Sequence, residues 1–422
     1  MPLLIDDAMI WTGTGAVPFR GKVLVEGERI AVVAPQAERV AADGAERIDA
    51  AGRFLMPGMV EGHAHLSFVD VARGTALGEL PPEEHTLLTM DAARKLLGAG
   101  FTSACSAAAA KIRIDVAIRD AIDDGLIDGP RTLAASPELT VTGGLGDGRR
   151  LHLHQESFGL PVDGPDEMLR MVRLCLREGV NTIKLNISGD FGTDSAPSET
   201  TLMTDPEIAV AVDATHKIGR RVAAHARASD AVKRAVRHGV DIIYHCDFAD
   251  TEALDLLESV KDRVFTGPAV GIVLARRDGL RGDNSRQGRI VFGRLEQLYE
   301  ATCRTHAEMR KRGIRIVVGG DYGFAANPQG TNARDLEHFV THFGFSPSEA
   351  LQAATRTGGE IMKRGHELGL VKPGYLADLL LVDGDPLQDV RLLQDRKRLS
   401  LIIKGGVRYS PCEGAPHVRR LP

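Results

Sequence analysis

Residues 221–245 read RVAAHARASDAVKRAVRHGVDIIYH, and this stretch decides the fold class. Two short β-prone runs, residues 221–224 and 241–244, flank an amphipathic segment that is typical of a helix, residues 229–238. Parallel strands need a crossover connection of this kind, which is usually an α-helix. The stretch therefore indicates an α/β protein with a parallel sheet.

The same alternation of strand and helix repeats on both sides of this stretch. The other β-prone runs are residues 59–61, 101–106, 131–135, 180–187, 264–266 and 314–318. Eight strand–helix units predict a closed (β/α)8 TIM barrel over residues 57–366. Short β-prone segments separated by turns precede and follow this region, so we predict a small composite β-sandwich domain built from both termini, residues 1–56 and 367–412.

The composition excludes several classes of protein. The 422 residues carry a formal net charge of −5, which disfavours a nucleic-acid partner. No run approaches the length of about 18 apolar residues that a membrane span requires. The five cysteines are scattered, and the first residues lack the basic segment of a secretory signal. We therefore expect a cytoplasmic protein that binds neither nucleic acid nor membranes.

Potential metal ligands follow the predicted barrel strands. His63 and His65 are two residues apart, so on an extended strand both imidazoles point to the same side. His225, His245 and Asp321 each follow another β-prone run, and barrel enzymes place their active residues at these strand ends. Imidazole and carboxylate groups favour zinc, although other divalent metals remain open. Because these positions are all filled, a non-catalytic barrel scaffold is disfavoured.

Lys184 lies inside an apolar strand and shares one face with Asn186. A bound cation would repel a protonated amine. A lysine that has reacted with CO2 carries an anionic carbamate instead and bridges two metals in two-metal sites. The sequence leaves open whether the site binds one or two metals, and whether Lys184 is carbamylated.

Three stretches resemble signatures of the metal-dependent amidohydrolase superfamily: PGMVEGHAHL at residues 57–66, the strand at residues 180–189, and PGYLAD at residues 373–378. The resemblance spans nearly the whole chain. It implies a bridging carbamate on Lys184 and a proton shuttle at Asp321, with His245 also in the catalytic machinery. The metal ligands that it implies are His63, His65, Lys184, His225, His245 and Asp321.

The lysine strand and Thr142-Gly143-Gly144 resemble the prolidase-like branch, which includes molinate and phenylurea hydrolases, ochratoxin amidases and Xaa-Arg/Lys dipeptidases. Leu145 stands where the dipeptidases commonly have histidine, which favours an apolar pocket. Ala228 stands where related deaminases usually have glutamate, which disfavours deamination. The resemblance thus implies a homo-oligomeric hydrolase of a C–N bond (amide, carbamate or urea) in a small, fairly apolar molecule. A dipeptidase or N-acyl-amino-acid amidase remains the alternative.

Weaker candidates for substrate contacts lie near the ligand strands. Arg227 lies just after the predicted ligand His225, where it either anchors a substrate carboxylate or forms a salt bridge at the surface. The basic residues 276–289 are expected in a loop, as a lid or an oligomer contact, and residues 137–165 are expected as a long loop over the active face. The predicted substrate-contact residues are Arg227, Leu145, His154, Asn186 and Tyr322.

Overall fold

The structure is a computed structural model that describes residues 2–152, 156–193 and 195–409. The N-terminal region consists of strands joined by turns. Its strands are β1 Leu3–Ile10, β2 Phe19–Glu26, β3 Arg29–Pro35, β4 Glu46–Asp49 and β5 Phe54–Pro57.

Strands and helices then alternate through the central region. The strands are β6 Met59–Ala64, β7 Phe101–Ser106, β8 Arg131–Leu133, β9 Ala135–Thr140, β10 Gly159–Pro161, β11 Thr182–Asn186, β12 Arg221–Ala226, β13 Ile242–His245 and β14 Phe265–Gly267. The helices are α1 Ala76–Glu79, α2 Pro82–Gly98, α3 Ile114–Asp123, α4 Pro165–Arg177, α5 Asp205–His216, α6 Ser229–His238, α7 Thr251–Ser259, α8 Val270–Gly279, α9 Arg286–Lys311, α10 Arg334–Phe343, α11 Pro347–Ala354 and α12 Arg356–Ile361.

The C-terminal region returns to strands. Two short 3-10 helices, Val390–Gln394 and Arg396–Arg398, interrupt it. The strands are β15 Leu379–Val382, β16 Leu399–Lys404 and β17 Val407–Tyr409.

Strands from both ends of the chain share one eight-stranded sheet. Its order is β17-β16-β15-β5-β1-β2-β3, and β4 pairs with β1. Antiparallel β5 and β15 join the two halves, with Leu379 opposite Pro57. The two termini therefore build one unit of structure. The sandwich arrangement and the domain boundaries stay predictions.

The central strands form parallel sheets of three strands, β6-β7-β8, and of six strands, β10-β9-β11-β12-β13-β14. The eighth predicted strand, residues 314–318, does not form a regular strand, because only scattered backbone groups of this segment pair with its neighbours. Ile316 forms an isolated parallel bridge with Thr266. On the other side, the amide of Gly62 donates to the carbonyl of Val318 at 2.8 Å. This segment therefore lies between β14 and β6.

Two predicted loops contain regular structure. The sequence predicts a loop over residues 276–289, but α8 and the first turn of α9 contain most of the arginines of this stretch. Arginine is a good helix former, and the run of charge obscures the helical spacing of the apolar residues around it. The prediction of one long loop over residues 137–165 is also wrong near both ends. Strand β9 extends to Thr140, and β10 forms at Gly159–Pro161.

The helices cover the parallel strands with apolar faces. In α6, Ala231, Val232, Ala235 and Val236 are buried, which is the spacing of one helix face. Among the described residues, we find no helix with the length and apolar character that crossing a bilayer requires.

Candidate metal centre

Six side chains predicted as metal ligands line one cavity of about 770 Å³. Strand β6 and the residue after it carry the first two, β11, β12 and β13 carry one each, and the last follows the 314–318 segment. Parallel strands direct their carboxyl ends to the same side, which brings these distant residues together. They are His63, His65, Lys184, His225, His245 and Asp321.

Three of these residues form a compact group. One potential ligand atom from each of His63, His65 and Asp321 lies within 4.8 Å of the others. The Nδ1 of His65 is 3.0 Å from the carbonyl of Ala108 and donates to it. In the neutral imidazole, the Nε2 lone pair then faces the carboxylate of Asp321 at 3.2 Å. Two acceptors this close require a positive charge between them, which either a proton on Nε2 or a metal ion supplies.

His63 supplies a second reason to place a cation here. Its side chain is buried, and neither ring nitrogen has a hydrogen-bond partner among the described residues. Buried polar atoms without partners are costly, and neutral imidazole is the form that binds metals. Burial lowers the pKa of His63 well below the ordinary histidine value. These donors therefore fit a divalent metal ion.

His225 and His245 lie beside this group. Their ring centroids are 4.2 Å apart, and the rings of His63 and His245 are 5.3 Å apart. Burial also lowers the pKa of both side chains well below the ordinary value, which keeps the rings neutral. The Nε2 of His225 donates to the carbonyl of Gly189 at 3.0 Å. In this conformation, Nδ1 is the nitrogen of His225 that remains for a metal.

Asp321 is ionised in this environment. Burial alone would raise the pKa of Asp321, but a proton on Nε2 of His65, which makes the contact with the carboxylate a charged hydrogen bond, holds that pKa below its ordinary value. The backbone of Asp321 has a φ of 61°, a left-handed conformation that is uncommon outside glycine. Strain of this kind is retained where the surroundings fix a side chain for function.

Lys184 is 1% exposed and lies above the ring of Tyr244, with 4.8 Å between its Nζ and the ring centroid. Burial lowers the pKa of its amine, while the charges of Glu138 and Asp321 oppose the shift. A lowered pKa increases the fraction of neutral amine, which is the form that reacts with CO2.

Glu138 is a cavity residue that sequence reasoning missed. It lies on β9 directly opposite Lys184 in the strand register, and its carboxylate accepts a hydrogen bond from Asn186 at 2.7 Å. Burial raises its pKa, and the charge of Lys184 opposes the shift. The sequence predicts that the third β-prone run ends at residue 135, which places Glu138 in the loop expected over residues 137–165, whereas β9 extends to Thr140.

The predicted substrate-contact residues have different surroundings. Leu145 lines the cavity, and its carbonyl accepts a hydrogen bond from Asn186 at 3.0 Å. Tyr322 is buried beside the cavity rather than lining it, and its hydroxyl is 3.4 Å from the carbonyl of Asn332. His154 lies outside the described residues.

Arg227 is fully buried and pairs with two carboxylates. Its Nη1 is 2.6 Å from Asp247, and its Nε is 3.3 Å from Asp190. Of these residues, Asp190 lines the cavity. Burial raises the pKa of Asp190 to about 6, and the charge of Arg227 opposes the shift. Arg227 thus forms salt bridges, but they are buried rather than at the surface as expected, and they fix the carboxylate of Asp190 next to His225.

We predict that Arg227→Met lowers the free energy of unfolding by about 3–5 kcal/mol, because it leaves two buried carboxylates without their cation. Urea unfolding followed by circular dichroism measures this loss. The matched control is Arg281→Met, which removes an exposed arginine paired with Asp278 and is expected to change stability little. Equal losses in the two variants would show that the buried network contributes nothing specific.

Comparison with known proteins gives the family. Residues 54–408 match the sequence profile of the amidohydrolase family. The chain belongs to the amidohydrolase family. An ochratoxinase from Aspergillus niger is 27% identical over 308 residues, which cover 68% of this chain and 62% of that protein. An imidazolonepropionase from Acidiphilium cryptum (strain JF-5) is 25% identical over 386 residues, 88% of each chain.

A crystal structure of a Xaa-Pro dipeptidase with methionine bound in its active site is similar over 97% of this chain and 100% of that one, with a TM-score of 0.85 and 25% identity. These matches confirm the predicted amidohydrolase superfamily and its prolidase-like branch. For this member of the amidohydrolase family, they imply a TIM-barrel-type fold with an extra domain.

Proposed function

We propose that this amidohydrolase-family protein is a metal-dependent hydrolase that cleaves a C–N bond of an amide, carbamate or urea. The observation that carries the proposal is the group formed by His63, His65 and Asp321 on the wall of a cavity, in which both buried ring nitrogens of His63 lack a hydrogen-bond partner among the described residues. The cavity is also lined by Phe68, Phe158 and Phe324, which suit a small, fairly apolar substrate.

The six candidate ligands form two groups, each of which would hold one metal ion. His63, His65 and Asp321 would hold the first metal, and His225, His245 and a carbamate on Lys184 would hold a second. A bound metal supplies a Lewis acid that activates water and polarises the carbonyl group of the substrate. Four histidines with carboxylate donors favour zinc, and other divalent metals and a single-metal site remain open.

Asp321 is the proposed proton shuttle. Its Oδ1 lies against His65, so Oδ2 is the oxygen that accepts a proton from the attacking water. The same oxygen then returns the proton to the leaving nitrogen as the C–N bond breaks, which makes one carboxylate first a base and then an acid.

Metal content is the first test of this function. The purified protein is expected to contain about one to two divalent ions per chain, as quantified by mass spectrometry of the metals. Removal by a chelator should abolish hydrolysis of a panel of N-acyl amino acids, N-aryl carbamates and N-aryl ureas. Adding zinc back should restore hydrolysis and raise the melting temperature, because a ligand that binds only the folded state stabilises it. Full activity in metal-free protein would refute the proposal.

A dipeptidase or N-acyl-amino-acid amidase is the second candidate. It is favoured by a guanidinium on the cavity wall, that of Arg276. With basic dipeptides added to the same panel, turnover of the dipeptides alone would favour this candidate over a hydrolase of apolar carbamates or ureas.

The finer features of the fold are also proposals. We infer that the strands of residues 57–366 close into a (β/α)8 barrel, supported by the hydrogen bonds of residues 315–318 to β14 and β6. We also infer a β-sandwich domain from residues 1–56 and 367–412, a homo-oligomeric assembly and a small-molecule substrate. Sedimentation of the purified protein tests the assembly.

A further inference from the structure

Helix α8 contributes an arginine to the wall of the cavity. Arg276 is half-buried, and its guanidinium carbon lies 5.6 Å from the ring centroid of Phe324. Across residues 2–152, 156–193 and 195–409, it has no carboxylate within ion-pair distance. The next residue differs, because Arg277 pairs with Asp278 and Glu296.

A half-buried cation that faces a cavity without a counter-ion is unusual. Burial lowers the pKa of Arg276, and the charges of Asp321 and Asp190 oppose the shift. Both carboxylates line the same cavity, and neither reaches Arg276. A second cavity arginine, Arg294, already has an interaction partner. Arg276 is thus the cavity arginine best suited to pair with a charge on a bound molecule.

We propose that Arg276 binds a carboxylate of the substrate, so that the site selects N-acyl amino acids with an apolar side chain over neutral amides. This inference rests on the proposed hydrolysis of a C–N bond. A guanidinium presents a planar fork of N–H donors that matches a carboxylate in a bidentate contact. Ile272 and Leu280 line the cavity near Arg276 on the same chain segment and would contact the apolar side chain.

The geometry separates recognition from reaction. The metal-ligand candidates lie on the central strands, whereas Arg276 lies on a helix that follows β14. A carboxylate held at Arg276 orients the neighbouring C–N bond towards the ligand cluster without contacting the reacting atoms. Arg276 is therefore a specificity-determining residue, and its loss should affect substrate binding more than the chemical step.

Two matched substrates test the inference on the zinc-loaded enzyme. N-benzoyl-phenylalanine and N-benzoyl-phenethylamine differ only by the carboxylate. Arg276→Met is expected to lower kcat/KM for the first by roughly 10- to 100-fold, mostly through KM, because a charge-assisted hydrogen bond is lost. The second substrate should be unaffected. Arg276→Lys should retain part of the preference, and the control Arg277→Met should retain all of it.

Calorimetric binding gives a readout that needs no catalysis. 3-Phenylpropanoate has no scissile C–N bond, and 3-phenylpropanol is its neutral counterpart. The wild-type protein should bind the acid more tightly than the alcohol, and Arg276→Met should remove the difference.

The outcomes separate this inference from the proposed function. One outcome is that neither amide is hydrolysed, while Arg276→Met removes the preference for 3-phenylpropanoate over 3-phenylpropanol. That result would support the carboxylate site and refute the proposed reaction. If both amides are hydrolysed equally well by the wild type, the reaction stands and the carboxylate site is overturned. Equal losses in Arg276→Met and Arg277→Met, or no binding preference, also overturn it.

Discussion

Replacement of Asp321 with asparagine is expected to reduce kcat for C–N hydrolysis by about 10²–10⁴-fold, the usual contribution of a general acid–base residue. Asparagine keeps the shape and one oxygen of the side chain, but it cannot carry the proton between water and the leaving nitrogen. Because the loss falls on proton transfer, KM should change little. Steady-state kinetics at saturating zinc, together with the metal content of the variant, measure the effect.

The metal content matters because Asp321 is also a proposed ligand. A variant that loses both metal and activity would show a ligand role only, whereas one that keeps metal and loses kcat supports the shuttle. Asp147→Asn is the matched control, since Asp147 lines the same cavity and its carboxylate is engaged by the amide of Gly143 at 2.9 Å. If Asp321→Asn keeps wild-type kcat, the proton must pass through another cavity carboxylate, such as Asp190 or Glu138.

The strand-end residues were predictable because their signal is local. His63 and His65 are two apart in one short run, and the period of an extended strand is enough to place both rings on one side. His225, His245 and Asp321 each follow a β-prone run, so the barrel rule brings them to the same end without any knowledge of contacts. That all of them line one cavity is the outcome that this rule anticipates.

The residues that sequence reasoning missed depend on non-local geometry or on element boundaries. Sequence reasoning misses Glu138 as a cavity residue because the strand that carries it, β9, extends to Thr140, beyond the β-prone run at residues 131–135. The sequence predicts a loop at Arg276, as a lid or an oligomer contact, because the basic residues obscure the helical spacing of α8. The partners of Arg227 are Asp190 and Asp247, 37 and 20 residues away along the chain, and no local pattern gives those pairs.

Replacement of Lys184 with alanine is expected to reduce activity by at least about 100-fold, since even residues that only orient metal ligands are worth about 10–100-fold. The proposed step is the addition of the neutral amine of Lys184 to CO2, which forms an N–C bond, releases a proton and leaves an anionic carbamate. A carbamate role predicts partial rescue of Lys184→Ala by acetate or propionate, which supply a carboxylate to the space that the side chain leaves. An ammonium role predicts instead that Lys184→Arg is active and that carboxylates have no effect.

Carbon-13 spectroscopy tests the carbamate without an assay of activity. Wild-type protein incubated with labelled bicarbonate and zinc should show one protein-bound carbonyl signal that is absent from Lys184→Ala. Lys404→Ala is the control. Lys404 is a partly buried lysine on β16 of the eight-stranded sheet, and its amine donates to the carbonyl of Gly129 at 2.6 Å. It should keep both the signal and the activity. Wild-type activity in Lys184→Ala would show that the carbamate is absent or idle. The site would then depend on His63, His65 and Asp321 for its metal, the three residues that the geometry already groups most closely.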